Sequence, residues 1–190
     1  LTCLQHPLDK ILANGFRAGH GASRPAKRIE TATMLACISM ETIQNEMHGG
    51  QSVPNFDYAM ADGVACTFRK EYYDAVQRYF WLEYDCENIL GDDFRQSLKD
   101  AMPERINMAN IDAYEEHFVK WFMEAGAQWL GFEPKEEDVR KCHKISIRIA
   151  MKETDLATYQ AMESLVHNLN TMNSRAGAQV PFSSINHGTC

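Results

Sequence analysis

Apolar residues recur at steps of three and four along several stretches of the chain, which is the spacing of an amphipathic helix. This pattern predicts helices over residues 29–47, 68–88 and 111–130. Gly49 and Gly50 follow the first of these stretches, and glycines at such a position are typical of a helix end. We therefore expect a chain that is rich in helix.

A fourth helical stretch begins after Pro134 and continues to about Met172. Glu136 and Arg140 are four residues apart with the acid first, an arrangement that stabilises a helix. Because this stretch is much longer than an ordinary helix, we expect one break in it, near residues 153–155.

Short extended segments flank the helices. Residues 1–12 form a short apolar segment. Residues 180–185 have a β-like composition, although Pro181 weakens a strand there. This order resembles βαβ units at both ends of the chain and predicts an α/β fold with a parallel sheet. No linker and no internal repeat divides the sequence, so residues 1–190 are expected to form a single domain.

Composition narrows the class of protein. Hydrophobic residues make up 45% and charged residues 24% of the chain, a balance that excludes a disordered or low-complexity segment. No apolar run is long enough to span a bilayer and no signal peptide is visible, which favours a reducing, cytoplasmic location. The net charge of −7 argues against nucleic acid or a membrane surface as partner, but it leaves room for a small phosphate-bearing ligand.

Cysteine and histidine spacing offers no metal site. The six cysteines form no CxxC pair and the histidines form no HExxH motif, so we expect no bound metal in this chain. A GxSxG motif is also absent, and with it the basis for a serine hydrolase. We interpret four cysteines as small buried hydrophobes: Cys37, Cys66, Cys86 and Cys142.

Three segments have a composition suited to ligand binding. Glycines in HGGQSVPNF (48–56) and NGFRAGHG (14–21) would let a backbone approach an anion closely, although a helix cap or a surface loop explains each as well. Residues 167–190 are dense in Asn, Ser and Thr, which need hydrogen-bond partners if they are buried. A polar pocket would supply those partners, and a solvated helix end is the alternative.

Four segments, taken in order, resemble the large subunit of the class III (anaerobic) ribonucleoside-triphosphate reductases. They are TCLQHPLDKILANGF, GHGASRPAKRI, QNEMHGGQSVPNFDYAMADGV and TYQAMESLVHNLNTMNSRAGAQVPFSSINHGTC. Their order and separations match as well, so the resemblance covers nearly the whole chain. The stretches HGGQSVPNFDYAMA and SRAGAQVPFSSIN are the most specific, because both are long and ungapped.

The resemblance implies a helix-rich part of the ten-stranded α/β barrel shared by ribonucleotide reductases and glycyl radical enzymes. It implies the anaerobic reduction of ribonucleoside triphosphates to 2′-deoxyribonucleoside triphosphates, the precursors for DNA replication. A glycyl radical, generated by a radical SAM activating enzyme, passes its spin to a cysteine, and the resulting thiyl takes the 3′ hydrogen of the ribose. The 2′-hydroxyl leaves as water, and formate or a thioredoxin-type system is the reductant.

The resemblance also assigns residues. Cys3 in TCLQ matches the family's first active-site cysteine and would supply a proton and a reducing equivalent below the sugar, while Cys190 in INHGTC is the candidate thiyl cysteine. Eight residues are candidates for lining the substrate pocket: Gly49, Gly50, Gln51, Ser52, Asn168, Asn170, Ser183 and Ser184. Two positions depart from the pattern, since Asn173 stands where many relatives have His and His187 where many have Tyr.

The family further implies ATP and dNTP effectors at an allosteric site and a homodimer. The glycyl radical region with its zinc-binding cysteines, and any ATP-binding module, have no counterpart here, so we expect an inactive fragment. Two alternatives stay open: another glycyl radical enzyme acting on a small acid or diol, and a non-catalytic helical nucleotide-binding domain. Placement of Cys3 and Cys190 across one cavity would favour the reductase, and burial of either in an apolar core would favour the last.

Overall fold

The computed structural model describes residues 3–18, 21–44, 49–171 and 181–188. Six α-helices hold most of these residues: α1 (Leu8–Asn14), α2 (Ile29–Gln44), α3 (Phe56–Tyr84), α4 (Asp92–Ala101), α5 (Glu115–Glu124) and α6 (Glu136–Thr171). The described strands are β1 (Cys3–Gln5), β2 (Arg17–Ala18), β3 (Gly21–Ala22), β4 (Gly50–Val53) and β5 (Ser183–Ile185). Short 3-10 helices cover Glu87–Leu90, Ile111–Tyr114 and Gly126–Trp129.

The main sheet has three strands in the order β1-β4-β5, and both neighbouring pairs are parallel. A separate antiparallel pair joins β2 to β3. The expectation of a partial ten-stranded barrel is wrong for the described residues. Three strands of three or four residues each form an open sheet, and helical sequence accounts for most of the chain between them.

By packing, the chain divides into two compact units, each with its own apolar core. Unit 1 comprises Leu1–Thr67 and Leu156–Cys190, and unit 2 comprises Phe68–Asp155. Two compact units can belong to one domain, so the expectation of a single domain over residues 1–190 stays a prediction.

In unit 1, helix α2 packs against the first part of α3. The first amide of α2, that of Ile29, donates to the hydroxyl of Thr67 on α3 over 3.1 Å. The two helices approach closely because Gly63 of α3 has no side chain, and a Cβ there would lie 3.3 Å from the Cα of Ile29. Ala36 and Met40 continue the buried stripe of α2. The predicted helix over 29–47 is thus confirmed over its described length.

In unit 2, aromatic side chains form most of the core. The rings of Phe80 and Phe122 stack with their centroids 4.3 Å apart, and Phe94 meets Phe122 edge-on. All three side chains are completely buried. Aromatic pairs of this kind contribute roughly 0.5–1.5 kcal/mol beyond their buried area, so this cluster is a main source of the unit's stability.

Several element boundaries differ from those that periodicity predicts. Helix α3 begins at Phe56, twelve residues before the predicted start, because the alanines of FDYAMADGVACT favour a helix without adding to an apolar stripe. Helix α6 continues without the expected break at 153–155, where Thr154 is buried inside it. The stretch 111–130 contains α5 between two 3-10 helices instead of one helix.

The first segment is also more structured than predicted. Over the described residues 3–12, the extended part is β1, and α1 begins at Leu8, directly after Pro7. Leu8 and Leu12 of α1 are buried in the core of unit 1. Among the helices that the structure describes, none is both long and apolar enough to cross a membrane.

Candidate functional site

Three sequence segments that are far apart in the chain lie side by side in the main sheet. Cys3 of β1 pairs with Gly50 of β4, and Ser52 of β4 pairs with Ser184 of β5. The backbone amide of Gln51 extends this ladder by donating to the carbonyl of Phe182 over 2.8 Å. The sheet therefore brings together residues 3–5 of TCLQ, 50–52 of HGGQS and 182–185 of FSSIN, three segments that were singled out in the sequence.

Alternation along the strands divides the sheet residues between two faces. Val53 is fully buried in the core of unit 1 and Ile185 packs against the same core, which defines the core face. Cys3, Gln5 and Ser184 are exposed and define the opposite, open face. Gly50 and Ser52 pair with members of this second set, so they belong to the open face as well.

A cleft of about 430 Å³ lies along this sheet. Its lining consists of Cys3, Leu4, Gln5, Gly50, Gln51, Ser52, Phe182, Ser183 and Ser184. The open face supplies a thiol, a carboxamide and two hydroxyls, which can all donate hydrogen bonds, and the amide and hydroxyls also accept them. This set suits a ligand that carries several hydroxyl groups.

The side chain of Gln51 points to the core face and makes structural contacts there. Its carbonyl oxygen lies 2.6 Å from Nε2 of His6, and its amide nitrogen donates to Gln44 Oε1 and to the carbonyl of Met40, both over 2.9 Å. Ser39 Oγ lies 3.2 Å from Nδ1 of the same His6 ring. Gln51 therefore contributes its backbone to the cleft, whereas its side chain fixes β4 to helix α2.

Burial gives this network a defined charge state. His6 is almost completely inaccessible to solvent, and burial lowers the pKa of its ring, an effect that the hydrogen bond to Gln51 partly offsets. At neutral pH the ring is therefore uncharged, and a neutral imidazole has one donor and one acceptor nitrogen. The hydroxyl of Ser39 can donate to the acceptor nitrogen of His6, and the side-chain carbonyl of Gln51 can accept from its donor nitrogen.

The segment after β5 is tied to the start of helix α3. The backbone amide of Gly188 donates to Oδ1 of Asp57 over 2.8 Å, and this bond is the main reason that the pKa of the Asp57 carboxyl lies below its ordinary value. The His187 ring meets the Phe56 ring edge-on, with centroids 6.4 Å apart. These contacts fix the chain two residues before Cys190, which itself lies outside the described residues.

Some predicted site residues lie elsewhere. Gly49 precedes the cleft-lining residues of β4 without being one of them. Asn168 borders a hollow of about 220 Å³ beside α2, and Asn170 borders a different hollow of about 560 Å³ along α6. The structure thus brings Cys3, Gly50 and Ser52 together with the two serines of β5 in one cleft. The two asparagines do not line this cleft. Asn173 lies outside the described residues.

Sequence reasoning overlooked three members of the cleft, Leu4, Gln5 and Phe182. Gln5 follows Cys3 by two residues in a short strand, and period-2 alternation alone would have placed both side chains on one face. Phe182 could not be found in this way, because its role depends on the pairing between β4 and β5. The exposed fraction of Phe182 is 82%, the largest among the big apolar side chains whose exposure is described.

The described cysteines fall into different environments. Cys3 is exposed on the open face, whereas Cys37 and Cys142 are buried and Cys66 and Cys86 are half-buried. Burial is the main cause that raises the pKa of the Cys37 thiol, to about 11, so this thiol stays protonated. Across the described part of the chain, no group of three or more His, Cys, Asp or Glu side chains is arranged to hold a metal ion.

Comparison with models of known protein families gives one match, which covers residues 1–190. The matching family is described as anaerobic ribonucleoside-triphosphate reductase. A search of curated proteins finds no sequence that matches the chain.

Proposed function

The chain belongs to the anaerobic ribonucleoside-triphosphate reductase family, and from this premise we propose that its sheet cleft binds the ribonucleoside triphosphate whose 2′-hydroxyl is replaced by hydrogen. The observation that supports this most directly is the register of the sheet. It sets the exposed thiol of Cys3 beside Gly50 on one face, with the hydroxyls of Ser52 and Ser184 on the same face.

The side chains of the open face have the chemistry that this reaction needs. Replacing the 2′-hydroxyl by hydrogen and releasing water consumes two electrons and two protons. The thiol of Cys3 can give a hydrogen to the sugar, and the hydroxyls of Ser52 and Ser184 can hold the ribose by donating and accepting hydrogen bonds. Cys3 is exposed to solvent, which a thiol that reacts with a bound substrate requires and a purely structural cysteine does not.

The remaining parts of the reaction rest on the family alone. A glycyl radical, formed by a radical SAM activating enzyme, would supply the unpaired electron, and formate or a thioredoxin-type system would supply the electrons for reduction. We propose Cys190 as the thiyl cysteine, and Gly49, Asn168 and Asn170 stay predicted substrate contacts. The ATP and dNTP effectors and the homodimer are likewise proposals for this chain.

Protection of the Cys3 thiol tests the proposed site. Iodoacetamide alkylation of each cysteine is followed by mass spectrometry, with and without saturating CTP or ATP. We expect the nucleotide to slow alkylation of Cys3 at least 5-fold and to leave Cys86 unchanged, because Cys86 lies in unit 2 and donates to the carbonyl of Trp129. Ser52→Ala combined with Ser184→Ala should weaken this protection.

Equal alkylation rates of Cys3 with and without nucleotide would contradict the proposal. Replacing the nucleotide by a small diol or a small carboxylic acid tests the alternative glycyl radical chemistry. Protection of Cys3 by one of these, together with none by the nucleotide, would favour that alternative.

A further inference from the structure

Gly50 occupies a position where neither the backbone nor the packing of the described residues demands glycine. Its φ is not in the left-handed region, which among the described glycines is reached by Gly15 and Gly131. A Cβ built on Gly50 would meet only the carbonyl oxygen of Phe182 within 4 Å, at 3.9 Å, an ordinary contact. Because glycine weakens a strand, its presence here indicates that something must approach the open face of β4 closely.

The two neighbours of Gly50 turn this position into a slot. Cys3 pairs with Gly50 from β1, and Phe182 lies next to it on the other side, just before β5. Neighbouring strands are about 4.8 Å apart, so the backbones of Cys3 and Phe182 flank a gap of about 10 Å. The missing side chain of Gly50 leaves the floor of this gap open between a thiol and an aromatic ring.

The ring of Phe182 has the properties of a stacking surface. Alternation places it on the same open face as Ser184, and 82% of the residue is exposed. None of the aromatic rings that the structure describes contacts it. An exposed apolar ring is unfavourable in water, and a flat ligand that covers it would recover this free energy.

Polar groups run alongside the slot. Gln5, Ser52 and Ser184 form one row across the three strands, since Gln5 pairs with Ser52 and Ser52 pairs with Ser184. The neighbouring row is Cys3, Gly50 and Phe182. A ligand that lies across the three strands would therefore have the row of hydrogen-bonding side chains along one of its edges. Its two ends would contact the thiol of Cys3 and the ring of Phe182.

We propose that this slot holds the nucleoside part of the substrate, with the base stacked on Phe182 and the ribose above Gly50 beside Cys3. This inference rests on the proposed function, because it names the contacts of the same ligand in the same cleft. The ribose must lie near the thiol, and its hydroxyls suit the row of polar side chains. The base then reaches the ring of Phe182, which makes Phe182 a binding residue and Gly50 a residue that sets the depth of the site.

Calorimetric binding of CTP to the chain and to three variants tests this assignment, with tripolyphosphate as a probe that lacks both base and sugar. We expect Phe182→Ala to weaken CTP binding about 10-fold, the scale of one lost base–aromatic stack, and to leave tripolyphosphate binding unchanged. Phe182→Tyr should bind CTP as the unaltered chain does. Gly50→Ala should weaken CTP binding as well, because its methyl group occupies the floor of the slot.

Gly91→Ala is the matched control for Gly50→Ala. Its Cβ would also meet one carbonyl oxygen at an ordinary distance, but Gly91 lies in unit 2. We expect Gly50→Ala not to lower the urea midpoint, because glycine weakens a strand, and we expect Gly91→Ala to keep the CTP affinity of the unaltered chain. If Phe182→Ala weakens CTP and tripolyphosphate equally, or weakens neither, the stacking assignment is wrong.

A fluorescence measurement separates the failure of this inference from the failure of the proposed function. In Phe182→Trp, a base stacked on the new indole should quench its emission, whereas tripolyphosphate should not. If CTP protects Cys3 from alkylation but neither quenches this introduced indole nor depends on Phe182, the slot is refuted and the cleft remains the nucleotide site. If the unaltered chain does not bind CTP, both are refuted.

Discussion

Nε2 of His6 lies 2.6 Å from Oε1 of Gln51, and this buried hydrogen bond connects the end of β1 to β4 on the face opposite to Cys3. The backbone amide of His6 also donates to the carbonyl of Ser52 over 2.9 Å. The two bonds hold β1 and β4 in one register. The register, in turn, sets Cys3 beside Gly50, so the geometry of the open face depends on a network beneath it.

Replacement of His6 by alanine should destabilise unit 1. The change leaves Gln51 Oε1 and Ser39 Oγ without their buried partner, and a buried polar group that loses its hydrogen bond costs about 1–3 kcal/mol. Urea unfolding, followed by circular dichroism, measures the loss of unfolding free energy. His167→Ala is the control, because His167 is exposed on α6.

The pairing itself can be isolated by a double-mutant cycle between His6→Ala and Gln51→Leu. We expect the double variant to lose less unfolding free energy than the sum of the losses in the two single variants, since either change alone already breaks the shared bond. Strictly additive losses would show that the hydrogen bond between the two side chains contributes nothing to stability.

The buried His143 should make the stability of unit 2 fall in mild acid. The hydroxyl of Tyr72 lies 2.8 Å from Nδ1 of His143, both side chains are buried, and burial is the main cause that lowers the pKa of His143. When the pH falls below about 6.5, the unfolded chain takes up a proton at this ring before the folded chain does. The free energy of unfolding must therefore decrease as the pH falls through this window.

A comparison of His143→Gln with the unaltered chain isolates this effect from other titrating groups. The difference in unfolding free energy between the two proteins should shrink when the pH falls from about 7.5 to about 5.5, the range in which an ordinary histidine gains its proton. A difference that stays constant over this range would mean that His143 titrates alike in the folded and unfolded chain.

Glu41 should affect the free energy of unfolding in the opposite sense to His143 as the pH changes. Its Oε1 is buried with no hydrogen-bond partner among the described residues, and desolvation raises the pKa of its carboxyl. The folded chain therefore binds this proton more readily, which stabilises it in acid and is lost as the pH rises through the raised pKa. Glu41→Gln should increase the urea midpoint at about pH 8 and have little effect at about pH 4, where the carboxyl is already protonated. A variant that is less stable in the alkaline buffer would contradict this.

The sequence predicts the components of the site better than it predicts their arrangement. Family resemblance selects Cys3, HGGQS and FSSIN, and the sheet sets Cys3, residues 50–52 and residues 183–185 side by side. It assigns Gln51 to pocket lining without distinguishing backbone from side chain, because the face on which a strand residue lies depends on register. Resemblance also groups Asn168 and Asn170 with the site, but Asn168 borders a hollow beside α2 and Asn170 borders a hollow along α6.

The errors in the fold have a common physical origin. Periodicity detects an apolar stripe, so it misses the alanine-rich start of α3, which has little stripe of its own. It cannot show that α6 continues through Thr154, since length alone suggested a break there. The barrel was inferred from resemblance, whereas the number of strands that the described residues form is a property of long-range pairing.

Gly126 is the most tightly packed glycine of unit 2. A Cβ at Gly126 would lie 2.8 Å from Cδ2 and 3.0 Å from Cγ of Phe122. The Phe122 ring is completely buried and stacked on Phe80, so it has little room to move away. Gly126→Ala should therefore destabilise unit 2 by about 1–3 kcal/mol, the usual cost of overpacking.

Urea unfolding of Gly126→Ala, of Gly91→Ala and of the pair Gly126→Ala with Phe122→Leu measures this cost. Gly91→Ala should cost less than Gly126→Ala, because its Cβ would meet one backbone oxygen at 3.4 Å and no ring, although alanine caps the start of α4 less well than glycine does. The smaller leucine gives the new methyl group space, so the double variant should lose less than the sum of its two single changes. If Gly126→Ala is as stable as Gly91→Ala, the Phe122 ring is free to shift, and the stack with Phe80 does not restrain it.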